Sequence, residues 1–132
     1  METTSYGTAV RLEMPIGEAS ERVRAALKEQ GFGVLTEIDV QATLREKLGE
    51  DMEDYLILGA CNPPLAHRAL TVDRQIGLLL PCNVVVRTDG DETVVEALDP
   101  QVMVEVTGRQ ELAPVAAEAG ERLRKALDAL QS

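Results

Sequence analysis

Tyr55-Leu56-Ile57-Leu58-Gly59-Ala60-Cys61 is an unbroken apolar run that stops at Asn62-Pro63-Pro64. It is too short for a core helix, so it is expected to be a central strand buried on both faces. Asn62 is then a natural N-cap, and Pro63 takes the first helical position, where a missing N–H costs nothing. Leu65, Ala66, Ala69 and Leu70 give that helix an apolar stripe, and it should end near Asp73. A chain built this way must pack helices on a sheet.

The other segments follow the same two periods. Tyr6, Thr8, Val10 and Leu12 alternate with Gly7, Ala9, Arg11 and Glu13, which predicts a half-buried strand. After Met14-Pro15, Ile16, Ala19, Val23, Ala26 and Leu27 recur at helical spacing, and Gly31 is placed to end that helix. Phe32, Val34 and Ile38 share one parity, so a strand is expected over 32–39. Asp39 can cap a short helix carrying Val40, Leu44 and Leu48 and closed by Gly49. Ile76–Leu80 is expected to open another strand that Val84–Val86 continue, with a bulge or edge position at Pro81. Asp89-Gly90 marks a hairpin into Thr93–Leu98, which Asp99-Pro100 ends. Val102, Val104 and Val106 alternate, as in a short strand or bent connection. Leu112, Ala116, Ala119, Leu123, Ala126, Leu127 and Leu130 form a last amphipathic helix with Pro114 in its first turn. A late hairpin argues against a wholly parallel sheet. The expected fold class is α+β: a single mixed, largely antiparallel sheet with helices mainly on one face.

Composition narrows the functions. The 132 residues favour one domain spanning 1–132. Lys plus Arg total 13 and Asp plus Glu total 23, a net charge of −10 that repels a phosphate backbone. Tyr6, Phe32 and Tyr55 are the only aromatic residues, so no platform exists for stacking bases. Nucleic acid is not an expected partner. No apolar run reaches membrane-spanning length, and Met-Glu-Thr-Thr-Ser-Tyr lacks the pattern of a signal peptide. A reducing cytoplasm with free thiols is therefore expected. Glu50, Asp51, Glu53 and Asp54 read as a solvated loop, since they lack the ligand spacing and central glycine of a calcium loop. No Ser-His-Asp order or phosphate-cradling glycine loop is present, and Gly31-Phe32-Gly33 is too short for a dinucleotide fingerprint.

The distinctive feature is where the rare polar residues fall. The chain has two cysteines and two asparagines, and they occur only as Cys61-Asn62 and Cys82-Asn83, each touching proline. Tyr55–Cys61 and Ile76–Cys82 are equal in length. If parallel neighbours joined by the 63–73 helix, they would bring the cysteines together; an antiparallel pairing would separate them by most of a strand. Cys61 precedes a helix N-terminus, which favours a thiolate or a bound anion. His67, the only histidine, lies in that helix beside Arg68. The candidate ligand-binding residues are Cys61, Asn62, Pro63, His67, Cys82 and Asn83, for a small, anionic ligand, with no cofactor required. One alternative is thiol redox chemistry, with Cys61 as thiolate, Cys82 as resolving thiol and His67 as proton carrier. Another is an open zinc site of Cys61, His67 and Cys82. A third is an interaction domain without a pocket, in which cysteine is a small buried hydrophobe and asparagine a cap.

Gly59-Ala60-Cys61-Asn62-Pro63-Pro64-Leu65-Ala66-His67-Arg68-Ala69-Leu70, then Ile76-Gly77-Leu78-Leu79-Leu80-Pro81-Cys82-Asn83-Val84-Val85-Val86, then Asp99-Pro100, resembles the prokaryotic family known as domain of unknown function 302. The resemblance extends over nearly the whole chain, including Phe32-Gly33-Val34 and the C-terminal helix. It implies a compact α+β domain similar to the TATA-binding-protein-like class, and a homodimer. It brings no established activity.

Overall fold

The computed structural model describes residues 1–131. Its strands are β1 (Glu2–Thr3), β2 (Gly7–Leu12), β3 (Gly33–Asp39), β4 (Tyr55–Cys61), β5 (Cys82–Asp89) and β6 (Glu92–Leu98). Its α-helices are α1 (Ile16–Glu29), α2 (Val40–Leu48), α3 (Pro63–Val72), α4 (Gln101–Thr107) and α5 (Ala113–Leu130). Two 3₁₀ helices, Arg74–Leu79 and Gln110–Leu112, follow α3 and α4. The strands form one sheet in the order β1-β2-β6-β5-β4-β3. This is an α+β fold. None of the described helices is long and apolar enough to cross a membrane.

Local chemistry sets most boundaries. Gly31 has φ +83°, and the N–H of Phe32 donates back to the Leu27 carbonyl at 2.9 Å while Gly31 N–H donates to Lys28 at 3.0 Å. That pair of bonds is a Schellman closure, and it turns Phe32 inward against Leu27 in the core. Asp39 caps α2 by accepting from the N–H of Ala42, and Gly49 ends it in the left-handed region. Gly90, also left-handed, turns the β5–β6 hairpin.

The register divides the sheet into two faces. Leu58, Val84 and Ala97 are opposite one another across three strands, and so are Val86, Val95 and Val10. These residues are buried under Ala19, Val23 and Leu27 of α1 and Leu123, Ala126 and Leu127 of α5. The alternate row, with Ile57, Val85, Glu96 and Ala9 in register, lies on the other face. A second apolar cluster joins Leu65, Ala69, Ile76, Met103, Leu112 and Val115. Helix α5 serves both clusters, the second through its first two turns and the sheet through its remainder.

Four expectations are corrected. Every strand pairing is antiparallel, so the sheet is not mixed. β4 lies next to the edge strand β3, and Tyr55, Leu56 and Ile57 are only half-buried, so β4 is not buried on both faces throughout. Residues 74–79 are a 3₁₀ helix instead of a strand: Ile76 points into the second cluster while Leu78 stays exposed. β5 begins only at Cys82, after a cis Leu80–Pro81 bond. Residues 101–107 are a helix as well, because adjacent Met103 and Val104 are both buried, which a strand with one covered face does not permit.

Candidate functional site

Cys61 ends β4 and Cys82 begins β5. The antiparallel register sets Ala60 opposite Cys82, so the cysteines meet at one end of the sheet. Proximity was expected only of a parallel pairing, and an antiparallel one, expected to separate the thiols, brings them together. Residues 76–79 are not strand, so the two segments are not strands of equal length and Cys82 stands at the start of its own. Both cysteines are free; Cys61 is half-buried and Cys82 buried. Burial pushes the Cys82 thiol up to about 11, and neighbouring Cys61 adds to the rise. Cys82 is thus a protonated thiol at neutral pH.

Asn62 is buried, and its two side-chain functions are both used. Oδ1 accepts from the N–H of Leu65 at 3.3 Å, which is the cap of α3. Nδ2 donates to the Gln30 carbonyl at 3.3 Å, tying the end of α1 to the start of α3. The anion expected at this helix start has lost its donors. Pro63 and Pro64 carry no N–H, Leu65 N–H is capped, and Ala66 N–H donates to the Asn62 carbonyl at 2.9 Å.

The remaining sequence candidates lie elsewhere. Pro63 and His67 are exposed. On a helix His67 is about 200° away from both Leu65 and Ala69 at 100° per residue, so helical arithmetic could have turned it outward. Arg68 reaches Glu118 of α5 at 2.9 Å. Its hydrogen bond holds that carboxyl below the usual range, helped by Arg122 at 3.5 Å. Asn83 is exposed on the opposite sheet face, beside Tyr6, Tyr55 and Glu96, as strand alternation from buried Cys82 requires. The six candidates therefore split: Cys61, Asn62 and Cys82 converge, while Pro63, His67 and Asn83 do not join them. No group of three or more His, Cys, Asp or Glu among the described residues could hold a metal ion. The zinc site and the proton-carrying role of His67 fall with that separation.

What Cys61, Asn62 and Cys82 share is a cavity of about 290 Å³. Buried Phe32, Leu65, Ala69, Met103, Val115 and Ala119 form its floor. Exposed Leu35 and half-buried Cys61, Ala66, Leu70, Leu80 and Pro81 form its rim. Strand ends, α3, α5, α4 and the 80–81 turn thus converge on one space. Sequence reasoning missed the floor. Ala60, Ala66, Ala69 and Ala119 leave room where larger side chains would close it, but an alanine on an apolar stripe looks the same whether or not it borders a void.

The family model for domain of unknown function DUF302 matches residues 8–130. No curated protein matches. Among solved structures, the crystal structure of an uncharacterized conserved protein DUF302 from Bacillus stearothermophilus is similar, at 32% identity and a TM-score of 0.88. That similarity covers 95% of this chain and 98% of the other.

Proposed function

This chain belongs to the DUF302 family, and we propose that it acts as a homodimeric module that binds a small molecule at Cys61, Asn62 and Cys82. One observation carries the binding reading. Cys61, Asn62 and Cys82 together line a cavity of about 290 Å³, at the lower edge of the size range of small-molecule sites. Each protomer has its own cavity, and two free thiols at it suit a reducing cytoplasm. The test is an amide-resolved NMR titration with a mixed set of neutral and charged fragments. Shifts clustered on Ala60, Ala69, Cys82 and Ala119 support the reading. A complete set with no cluster there refutes it.

The dimer rests on the uncovered sheet face. Tyr6 and Ile38 are exposed near it, and Tyr55, Ile57, Val85 and Leu98 are half-buried. On this face Arg11 and Arg87 stand with Glu2, Asp89, Glu92 and Glu96, a net −2 among the strand residues against −10 for the chain as a whole. Two copies repel elsewhere but can meet here. Sedimentation equilibrium should give a dimer for the natural chain and a monomer for Val85→Glu. A monomeric natural chain, or a dimer indifferent to Val85→Glu, would remove this part of the proposal.

A further inference from the structure

We infer that the cavity at Cys61 and Cys82 takes an uncharged, compact aromatic molecule about the size of two fused rings. This rests on the cavity being a binding site and names what it would bind. The lining holds no carboxylate, ammonium, guanidinium or imidazole. Its single amide, Asn62, has Oδ1 on Leu65 N–H and Nδ2 on Gln30 O. Among the described residues no buried side-chain nitrogen or oxygen lacks a hydrogen-bond partner. The polar side chains at the cavity are thus two thiols and an amide already engaged, and a charged ligand entering it would lose its water without a charged partner in return.

The surroundings reinforce this. The α3 N-terminus has spent its amides on Asn62. Arg68 and Arg122 both turn to Glu118. The net charge of −10 disfavours the approach of an anion within the screening length of about 10 Å at 0.1 M salt.

The preference for rings comes from the soft atoms. Met103, Cys61 and Cys82 bring three sulfurs to the lining, and Phe32 brings a ring. Sulfur–aromatic and ring–ring contacts are the specific attractions such a wall can make. Size sets the rest. An engineered apolar cavity of about 150 Å³ holds one benzene, and this one, at about 290 Å³, is roughly twice that.

The experiment compares 2-naphthylmethanol with 2-naphthoate, two probes of one skeleton that differ in charge. Each is titrated into the full chain at pH 7 and followed by amide shifts at Ala60, Ala69, Cys82 and Ala119. The alcohol should bind at least roughly tenfold more tightly, because the carboxylate finds no partner. Ala66→Phe narrows the rim at a half-exposed position and should weaken the alcohol by a similar factor with the rest of the spectrum unchanged. Naphthoate binding as well as the alcohol overturns the inference. So does alcohol binding that Ala66→Phe leaves untouched. If neither naphthyl probe shifts these amides while another fragment does, the ligand class is wrong and the site stands. If no fragment of any kind does, the binding reading falls as well.

Discussion

Asn62→Ala is the substitution whose consequence is best defined by the structure. Asn62 is 7% exposed and connects the start of α3 to the end of α1. Removing its Oδ1 uncaps the buried Leu65 N–H, at a typical cost of about 1 kcal/mol and up to about 2. Removing its Nδ2 deletes the bond to Gln30, worth about 1 kcal/mol net. The Gln30 carbonyl is not orphaned, because Arg122 Nη1 also donates to it at 3.3 Å. The expected destabilisation is therefore roughly 2 kcal/mol, not the larger penalty of stranding donor and acceptor together. Urea denaturation at an m-value of about 2 kcal/mol per molar lowers the midpoint by roughly 1 M. Asn62→Ser separates the parts: serine keeps an acceptor for Leu65 N–H but cannot reach Gln30. It should recover about half of the loss. A midpoint shift for Asn62→Ala below about 0.3 M, or Asn62→Ser no better than alanine, would refute the two-bond account.

Other outcomes follow from the same region. Because Cys82 is held protonated up to about 11 against an ordinary 9.0, the unfolded chain loses that proton first. The contribution, on the order of 3 kcal/mol, is fully present below pH 9 and is lost as pH rises towards 11. Chemical denaturation across that window should show a steeper decline for the natural chain than for Cys82→Ala; parallel curves would contradict the burial argument. Gly59→Ala would drive a Cβ into Thr36 Oγ1 and within 2.9 Å of Pro81 Cγ. It should cost about 1 to 3 kcal/mol in thermal or urea unfolding, and Thr36→Ala should rescue it only in part because Pro81 remains. His67→Ala, at an exposed position outside the cavity, should stay within about 0.5 kcal/mol of the natural stability and leave 2-naphthylmethanol binding unchanged. A large effect on either readout would return His67 to the site.

Much of the local architecture could be read from residue types. Asn62, Asp39, Gly31 and Gly90 each have a side chain or backbone freedom that only one local geometry uses, and each occupies that geometry. Two apolar stretches could not be read that way. Ile76–Leu79 and Val102–Val106 have the composition of strands, but they pack into the cluster between α3 and α5, and contacts with Ile76, Met103 and Val104 override their propensity. Whether the cysteines meet could not be read from strand lengths, since it depended on where β5 starts. Two of the misplaced site residues, His67 and Asn83, could have been set aside by helix and strand periodicity alone.

The amino-acid sequence by itself determined the α+β class, the caps and turns, and that Cys61-Asn62 joins the end of a strand to the start of a helix. These follow from interactions within a few residues along the chain, where side-chain chemistry and backbone geometry are directly coupled. Only the tertiary structure decided that the sheet is wholly antiparallel in its pairings, that α3 and α5 stop short of filling the space beside the two thiols, and that the cavity left there has a mostly apolar lining. A void and its polarity are properties of surfaces that meet across the fold. They depend on which side chains face one another and on which donors have already been used, and Asn62 had used those of the α3 N-terminus.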